Sequence, residues 1–325
     1  NFDTLDSAVW TKVAGKVPVL TCFEWNVFTD GSASKPYILD SADDLYSFNT
    51  NAATDNYKSK NYRLGANITL DGVEENANWT PIPEFAGVLD GNGHTISGIK
   101  VEATSQYVGM FAKVTGATIK NLRIEDSTFT SSNHYIGAVA GRGYGTFEQI
   151  QIASNVTVTT SNKQSAAGIL GQADTGETTF SKCWNAATVN ADKYAGGLVA
   201  KVNKKITVEN CINTGIISAN TECSGGLIGW NNSSEDVLVK TSVNAGTVSG
   251  TSAGAIIGNI ASGKETTKLN YVYNISSLTN AAGYRGTLLQ YEHSEAEDYI
   301  HVSDLSTQNF DTLDSAVWTK VAGKV

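Results

Sequence analysis

One short word recurs along this chain at an almost constant step, and it restricts the fold more than any other feature. It reads Tyr107-Val108-Gly109-Met110-Phe111, Tyr135-Ile136-Gly137-Ala138-Val139 and Ala167-Gly168-Ile169-Leu170-Gly171. It returns as Gly196-Gly197-Leu198-Val199-Ala200, Gly225-Gly226-Leu227-Ile228-Gly229 and Gly254-Ala255-Ile256-Ile257-Gly258. Counted on Gly109, Gly137, Gly168, Gly197, Gly226 and Ala255, the steps are 28, 31, 29, 29 and 29 residues. A fixed period of this size marks a solenoid, whose units bury a core only by stacking on their neighbours.

Each period also carries a segment with apolar/polar alternation, such as Ile119-Lys120-Asn121-Leu122-Arg123-Ile124 and Ile206-Thr207-Val208-Glu209-Asn210-Cys211. Alternation of that kind is a strand with one buried face. A third short apolar run follows, as in Val156-Thr157-Val158, Ala187-Thr188-Val189 and Gly246-Thr247-Val248. No repeat segment has a 3.6-residue apolar period, which excludes helical repeats. The expected fold is all-β, a right-handed parallel β-helix with three short strands per coil of ~29 residues.

Stacking at this period aligns particular polar residues. Asn185, Asn213, Asn244 and Asn274 fall at equivalent positions. Neighbouring coils are ~4.8 Å apart, so their amides are expected to hydrogen-bond along the axis as a ladder. Cys183 and Cys211 fall on equivalent inward positions and read as small buried hydrophobes in preference to a disulfide. The four cysteines have no Cys-x-x-Cys spacing and the four histidines are scattered, so no metal site is expected.

Before the repeats, Ser41 with Asp44 three residues later resembles a capping box, and Leu45, Phe48 and Ala52 share one helical face. A short helix here is expected to cover the open end of the first coil and its unpaired edges. Then follow Trp79-Thr80-Pro81-Ile82 and Phe85-Ala86-Gly87-Val88-Leu89-Asp90-Gly91-Asn92-Gly93-His94-Thr95-Ile96. In this order, with the later Gly-Gly-Leu-Ile-Gly words, residues 30–275 resemble bacterial surface proteins that carry GLUG motifs. The resemblance implies a β-helix in large secreted or wall-attached bacterial proteins, hence an extracellular or cell-surface location. It implies no defined ligand.

Residues 1–17 and 309–325 are identical, NFDTLDSAVWTKVAGKV in both places, a period of 308 residues. The expected origin is a tandem array, with adjacent identical units joined head to tail. The chain is accordingly divided into an end segment at 1–24, a β-helix at 25–290 and a cap or junction at 291–325. Long near-identical repeats suit reach and multivalency better than catalysis.

The net charge of −9 with only 17% charged residues leaves no basic stripe for a nucleic acid. No apolar run is long enough to span a bilayer, so no membrane insertion is expected. No catalytic residues are assigned. The segment Asp90 to His94 reads as a tight turn, not as part of a lyase site, because the carboxylates are scattered and Arg occurs only at 63, 123, 142 and 285. Gly141-Arg142-Gly143-Tyr144-Gly145 reads as a turn between coil strands. Residues 171–177 and 233–236 read as solvated loops with at most weak structural calcium, and no cofactor is expected. Trp184, Trp230, Tyr144 and Tyr194 are the candidate binding residues, if they share an outward face. The expected function is an adhesive or structural repeat of a large surface protein. The alternative is a module that binds host glycans or surface proteins through exposed aromatics. A polysaccharide-active enzyme ranks third.

Overall fold

The computed structural model describes residues 29–70, 78–162, 165–264 and 267–277. It also gives the backbone of three strands outside them, Trp10–Thr11 antiparallel to Val19–Leu20 and Tyr299–His301 parallel to Val272–Asn274. The boundaries expected at 24/25 and 290/291 lie outside the described residues, as do most of the two identical ends and Cys22.

The described chain winds into a parallel β-solenoid of about eight turns, roughly 29 residues per turn. Each complete coil contributes five short pairing segments, not the three read from the sequence. One coil runs through Leu170–Ala173, Thr178–Ser181, Trp184–Asn185, Thr188–Ala191 and Tyr194–Gly196. We call the ladders that these segments build I to V, in that order. Every segment pairs in register with the next coil: Leu170 with Val199, Phe180 with Val208, Asn185 with Asn213, Val189 with Ile217 and Ala195 with Ser224. The register departs from the sequence count at one place, since Gly137 pairs with Ala167 and not with Gly168. The segment Gly141 to Gly145 is part of the strand Ala140–Ile152, not a turn. Gly143 and Gly145 adopt positive φ within it.

Ladder II supplies the longest apolar stack. Leu89, Ile119, Phe147, Phe180, Val208, Val239 and Leu269 lie directly over one another, and all are buried. The Phe147 and Phe180 rings stack with centroids 5.0 Å apart. Burying one such side chain contributes about 1.5–3 kcal/mol, so each added coil brings its own core. At the front, the helix α1 (Ala42–Ala52) starts at Ser41, whose side chain accepts from the Asp44 N–H. Its Phe48 packs on Tyr62, Phe85 and Phe111, which closes that end of the core.

From the Asn121 coil onward the bend between ladders II and III has one solution, whereas the coil before it turns through two left-handed residues, Asn92 and Gly93. Asn121, Gln149, Lys182, Asn210, Thr241 and Tyr271 all adopt φ between 46° and 55°. A single left-handed residue turns the chain sharply without a loop. Asn tolerates that conformation best among non-glycine residues, and β-branched Thr worst. Thr241→Asn is therefore expected to raise stability by about 0.5–1 kcal/mol. Its amide can replace the Thr241 Oγ1 to Asn210 Oδ1 hydrogen bond of 2.8 Å. A urea titration of the two chains checks this.

The glycine-rich word has a physical reading at each letter. After ladder V the chain reverses into ladder I through Gly168-Ile169-Leu170-Gly171 or its equivalents. The two apolar residues enter the core and are fully buried at Ile169, Leu170, Leu198, Val199, Leu227 and Ile228. The first glycine admits a polar ladder. Asn185 donates to Asn213 Oδ1 at 2.8 Å, Asn213 to Asn244 at 2.9 Å and Asn244 to Asn274 at 3.2 Å. Each Oδ1 also accepts a backbone N–H two residues on, from Ala187, Gly215, Gly246 and Ser276. All four amides are buried. A Cβ on Gly168 would lie 2.2 Å from Asn185 Oδ1, and one on Gly226 would lie 2.5 Å from Asn244 Cγ. One coil earlier the same two positions are Ala138 and Ile152, so the amide ladder starts where the glycine column starts.

A candidate binding corner between ladders V and I

The last letter of the word brings ladders V and I together. A Cβ on Gly141 would sit 2.4 Å from the Val108 nitrogen. One on Gly171 would sit 2.7 Å from the Ile136 nitrogen, and one on Gly229 2.7 Å from the Ala195 oxygen. Only glycine or alanine fits between the two strands, and the side chains beyond this contact converge from both.

Ladder V presents the column Tyr107, Tyr135, Ser165, Tyr194, Cys223 and Ser252. Ladder I presents Lys113, Arg142, Gln172, Lys201, Trp230 and Asn259. The two columns interlock. Arg142 Nη1 donates to Tyr107 Oη at 2.6 Å, and its guanidinium lies 5.1 Å from that ring centre. Lys201 Nζ lies 4.8 Å from the Trp230 ring centre, 5.8 Å from that of Tyr135, and 3.4 Å from Tyr135 Oη. Tyr194 packs on Trp230 with centroids 4.5 Å apart, and Lys193 Nζ lies 4.8 Å from the Tyr194 ring centre. Cations over aromatic faces gain about 0.5–2 kcal/mol as solvent is withdrawn.

One carboxylate enters this corner. Asp174 follows ladder I and its side chain is 9% exposed. Its Oδ2 accepts from Arg142 Nε at 2.6 Å, while the buried Oδ1 has no hydrogen-bond partner. Burial raises the Asp174 pKa, opposed by Arg142, Lys113 and Lys201. Burial lowers that of Lys201, helped by Lys193 and opposed by Asp174. Such shifts, with partly satisfied groups on a surface, are a mark of functional sites.

The four aromatics singled out in the sequence do not share a face. Trp230 and Tyr194 meet in the corner. Trp184 lies on ladder III, 41% exposed, with its indole N–H donating to Thr214 Oγ1 at 2.8 Å. Tyr144 sits over glycines of the adjoining coils, since a Cβ on Gly176 would lie 2.4 Å from its ring and one on Gly116 3.7 Å away. It is a spacer between coils and not part of a platform with the others. The sequence reading missed Arg142, Asp174 and Lys201 as site residues. The signal was present for Gln172, Lys201 and Trp230, which directly follow the small residue that ends the repeated word, while Arg142 follows Gly141, which only the register aligns with those residues.

The remaining candidates take structural places. Cys183 and Cys211 are free and buried, and the Cys183 N–H points at Cys211 Sγ at 3.4 Å. Burial and the neighbouring Cys183 push the Cys211 thiol up, which keeps it protonated. Asp90 to His94 is a tight turn in which Asn92 and Gly93 have positive φ and His94 reaches Asn67 of the adjoining coil. Among the described residues no group of three or more His, Cys, Asp or Glu could hold a metal ion, and no helix is long and apolar enough to cross a membrane.

Glu84, one coil before the corner, accepts from Thr115 Oγ1 at 2.7 Å and from Lys113 Nζ at 3.0 Å. These bonds lower its pKa to about 2 from an ordinary 4.5. A depressed carboxylate stabilises the fold above its unfolded pKa and loses that contribution as pH falls through the folded value. The side chain is 33% exposed, so after solvent screening about 1–2 kcal/mol is expected to be lost between pH 4.5 and pH 2. Glu84→Gln is expected to flatten the stability profile across that window in acid titrations.

No family model matches the chain. A 158-residue stretch is 30% identical to Halomucin of Haloquadratum walsbyi, covering 44% of this chain and 2% of that protein. The chain thus spans a small part of the relative's length. Among solved structures, a candidate immunoglobulin A1 protease from Bacteroides ovatus superposes with a TM-score of 0.64 at 21% identity. The match covers 83% of this chain and 84% of that one. At that identity the likeness shows the β-solenoid fold alone. Neither comparison supports the GLUG resemblance as such, and the structural match supports only its β-helix fold.

Proposed function

We propose that this chain is a structural and adhesive repeat of a large extracellular surface protein, in which coils stack into a rod and the corner forms a lateral contact strip. The observation that carries the reading is the unbroken register, in which ladders I to III pass through every complete coil without a loop large enough to interrupt them. A structure of this kind grows in one direction and gains length with each coil, about 4.8 Å at a time. The identical stretches at 1–17 and 309–325 support serial copies, and the partial likeness to Halomucin supports a surface setting. The enzymatic alternative needs a second carboxylate facing Asp174. In the corner Asp174 faces Arg142, with Lys113 and Lys201 within electrostatic range.

Small-angle X-ray scattering on one 308-residue unit and on two units in tandem tests the rod. The maximum dimension is expected to come close to doubling with no change in cross-section. A tandem pair that folds back to the cross-section of a side-by-side dimer would overturn the reading.

A further inference from the structure

We infer that the corner between ladders V and I is a binding site for acidic glycan chains, laid parallel to the solenoid axis and bearing carboxylate or sulfate groups. The inference rests on the surface-repeat reading only in placing the corner where external polymers reach it.

Three observations converge. The first is the charge that the corner leaves over. Arg142 is neutralised by Asp174 and Lys113 by Glu84. Lys201 and Lys193 form no salt bridge among the described residues, although Lys201 is half-buried against Tyr135 and Trp230. A half-buried ammonium whose pKa is drawn down by burial gains most from an anion that arrives with its own apolar cover. The protein as a whole carries −9, and Asp192 and Glu222 flank Lys193 in sequence and register, so the positive charge left for a ligand centres on Lys201.

The second observation is the aromatic surface. Tyr107 and Tyr135 stack at 6.2 Å, and Tyr194 with Trp230 continues the line beyond Ser165, where the column has no ring. From the Tyr107 coil to the Trp230 coil is four coil steps, about 19 Å at ~4.8 Å each. Tyr194 is buried and the other three rings are half-buried, so the line offers partly exposed apolar surface for the C–H groups of a sugar chain, which advances by a length comparable to the coil step. The third observation is Asp174 Oδ1, a buried acceptor with no donor. Such a group costs about 1–3 kcal/mol when left unmade. A sugar hydroxyl supplies the missing donor, whereas an acidic peptide side chain would bring a second carboxylate to it. Hydroxyl, anion and apolar face occur together in a uronate or sulfated sugar.

The test is calorimetric titration of the full chain with an oligogalacturonate, a sulfated dextran oligomer, a neutral dextran oligomer and an oligoglutamate. The expected result is binding of the carboxylated or the sulfated sugar, weakening as salt rises. It is expected to fall about tenfold in Lys201→Gln and about tenfold in Trp230→Ala, and also in Asp174→Asn. Trp184→Ala, on a different face, is expected to bind as the parent does. Which of the two acidic sugars binds identifies the anion. The inference is overturned if neither binds, if the neutral sugar binds as well, or if oligoglutamate binds as well, since that would make the corner a site for acidic peptides. It is also overturned if Lys201→Gln and Trp230→Ala, folded by circular dichroism, bind as the parent does. Failure here would leave the scattering result on the rod untouched.

Discussion

Replacing Asn213 with alanine is expected to destabilise the solenoid by about 3–5 kcal/mol, since each of several buried polar groups left unsatisfied costs about 1–3 kcal/mol. Asn213 is an interior rung. It receives the amide of Asn185, donates to Asn244 and accepts the Gly215 N–H. The substitution leaves Asn185 Nδ2 without an acceptor, Asn244 Oδ1 without its inter-coil donor and the Gly215 N–H without its cap, all away from water. It also opens a void between two coils. Against a typical domain stability of about 5–15 kcal/mol, a loss this large moves the urea midpoint far. In a solenoid, part of the loss shows as early unfolding of the coils beyond residue 213, so amide exchange should be followed together with the global transition. A loss below about 1 kcal/mol would mean that the amide ladder is incidental to stability.

The second large effect is expected at Gly226. An alanine there places its Cβ 2.2 Å from the Ala255 carbonyl oxygen and 2.5 Å from Asn244 Cγ. Neither obstacle is the free end of a flexible side chain. One is backbone of the next coil and the other a buried amide fixed by three hydrogen bonds. Separation of the coils follows, at about 3 kcal/mol or more, the upper end for overpacking. The same methyl group is native one coil later, at Ala255. Ala255→Gly is therefore expected to cost no more than about 1 kcal/mol, and the pair of variants isolates the contact from any general dislike of alanine at this letter. Equal midpoints for the two variants would count against the proposed contact.

These two sites also show how much of the fold could be read from the residues. The period, the parallel stacking, the capped helix at Ser41 and the alignment of Asn185, Asn213, Asn244 and Asn274 all follow from spacing. A solenoid repeats its constraints, so every coil is an independent reading of the same rule. The number of strands per coil was harder. The bend between ladders II and III is a single residue, and nothing in Lys182 or Gln149 announces a left-handed conformation as glycine would. Two strands therefore read as one alternating run. The corner was harder still. It forms because the glycine of Gly141-Arg142 and its equivalents brings two strands to backbone contact, a tertiary fact that sets Arg142 beside Tyr107 from a different coil. Counting aromatics near turns found Tyr194 and Trp230, but it also gathered Trp184 and Tyr144, which the winding sends to other positions.

The hydrogen bonds that join each coil to the next run along the axis, and this has a mechanical consequence. Tension applied through the two ends of the chain loads those bonds a few at a time, at the terminal coil, and not all together in shear. Coils should then peel off singly. Each one freed turns about 4.8 Å of folded length into roughly 100 Å of slack chain, from roughly 29 residues per turn at about 3.4 Å each. A tether built from such units would yield under a sudden load by paying out chain, and would rewind on the coils still standing as templates once the load is removed.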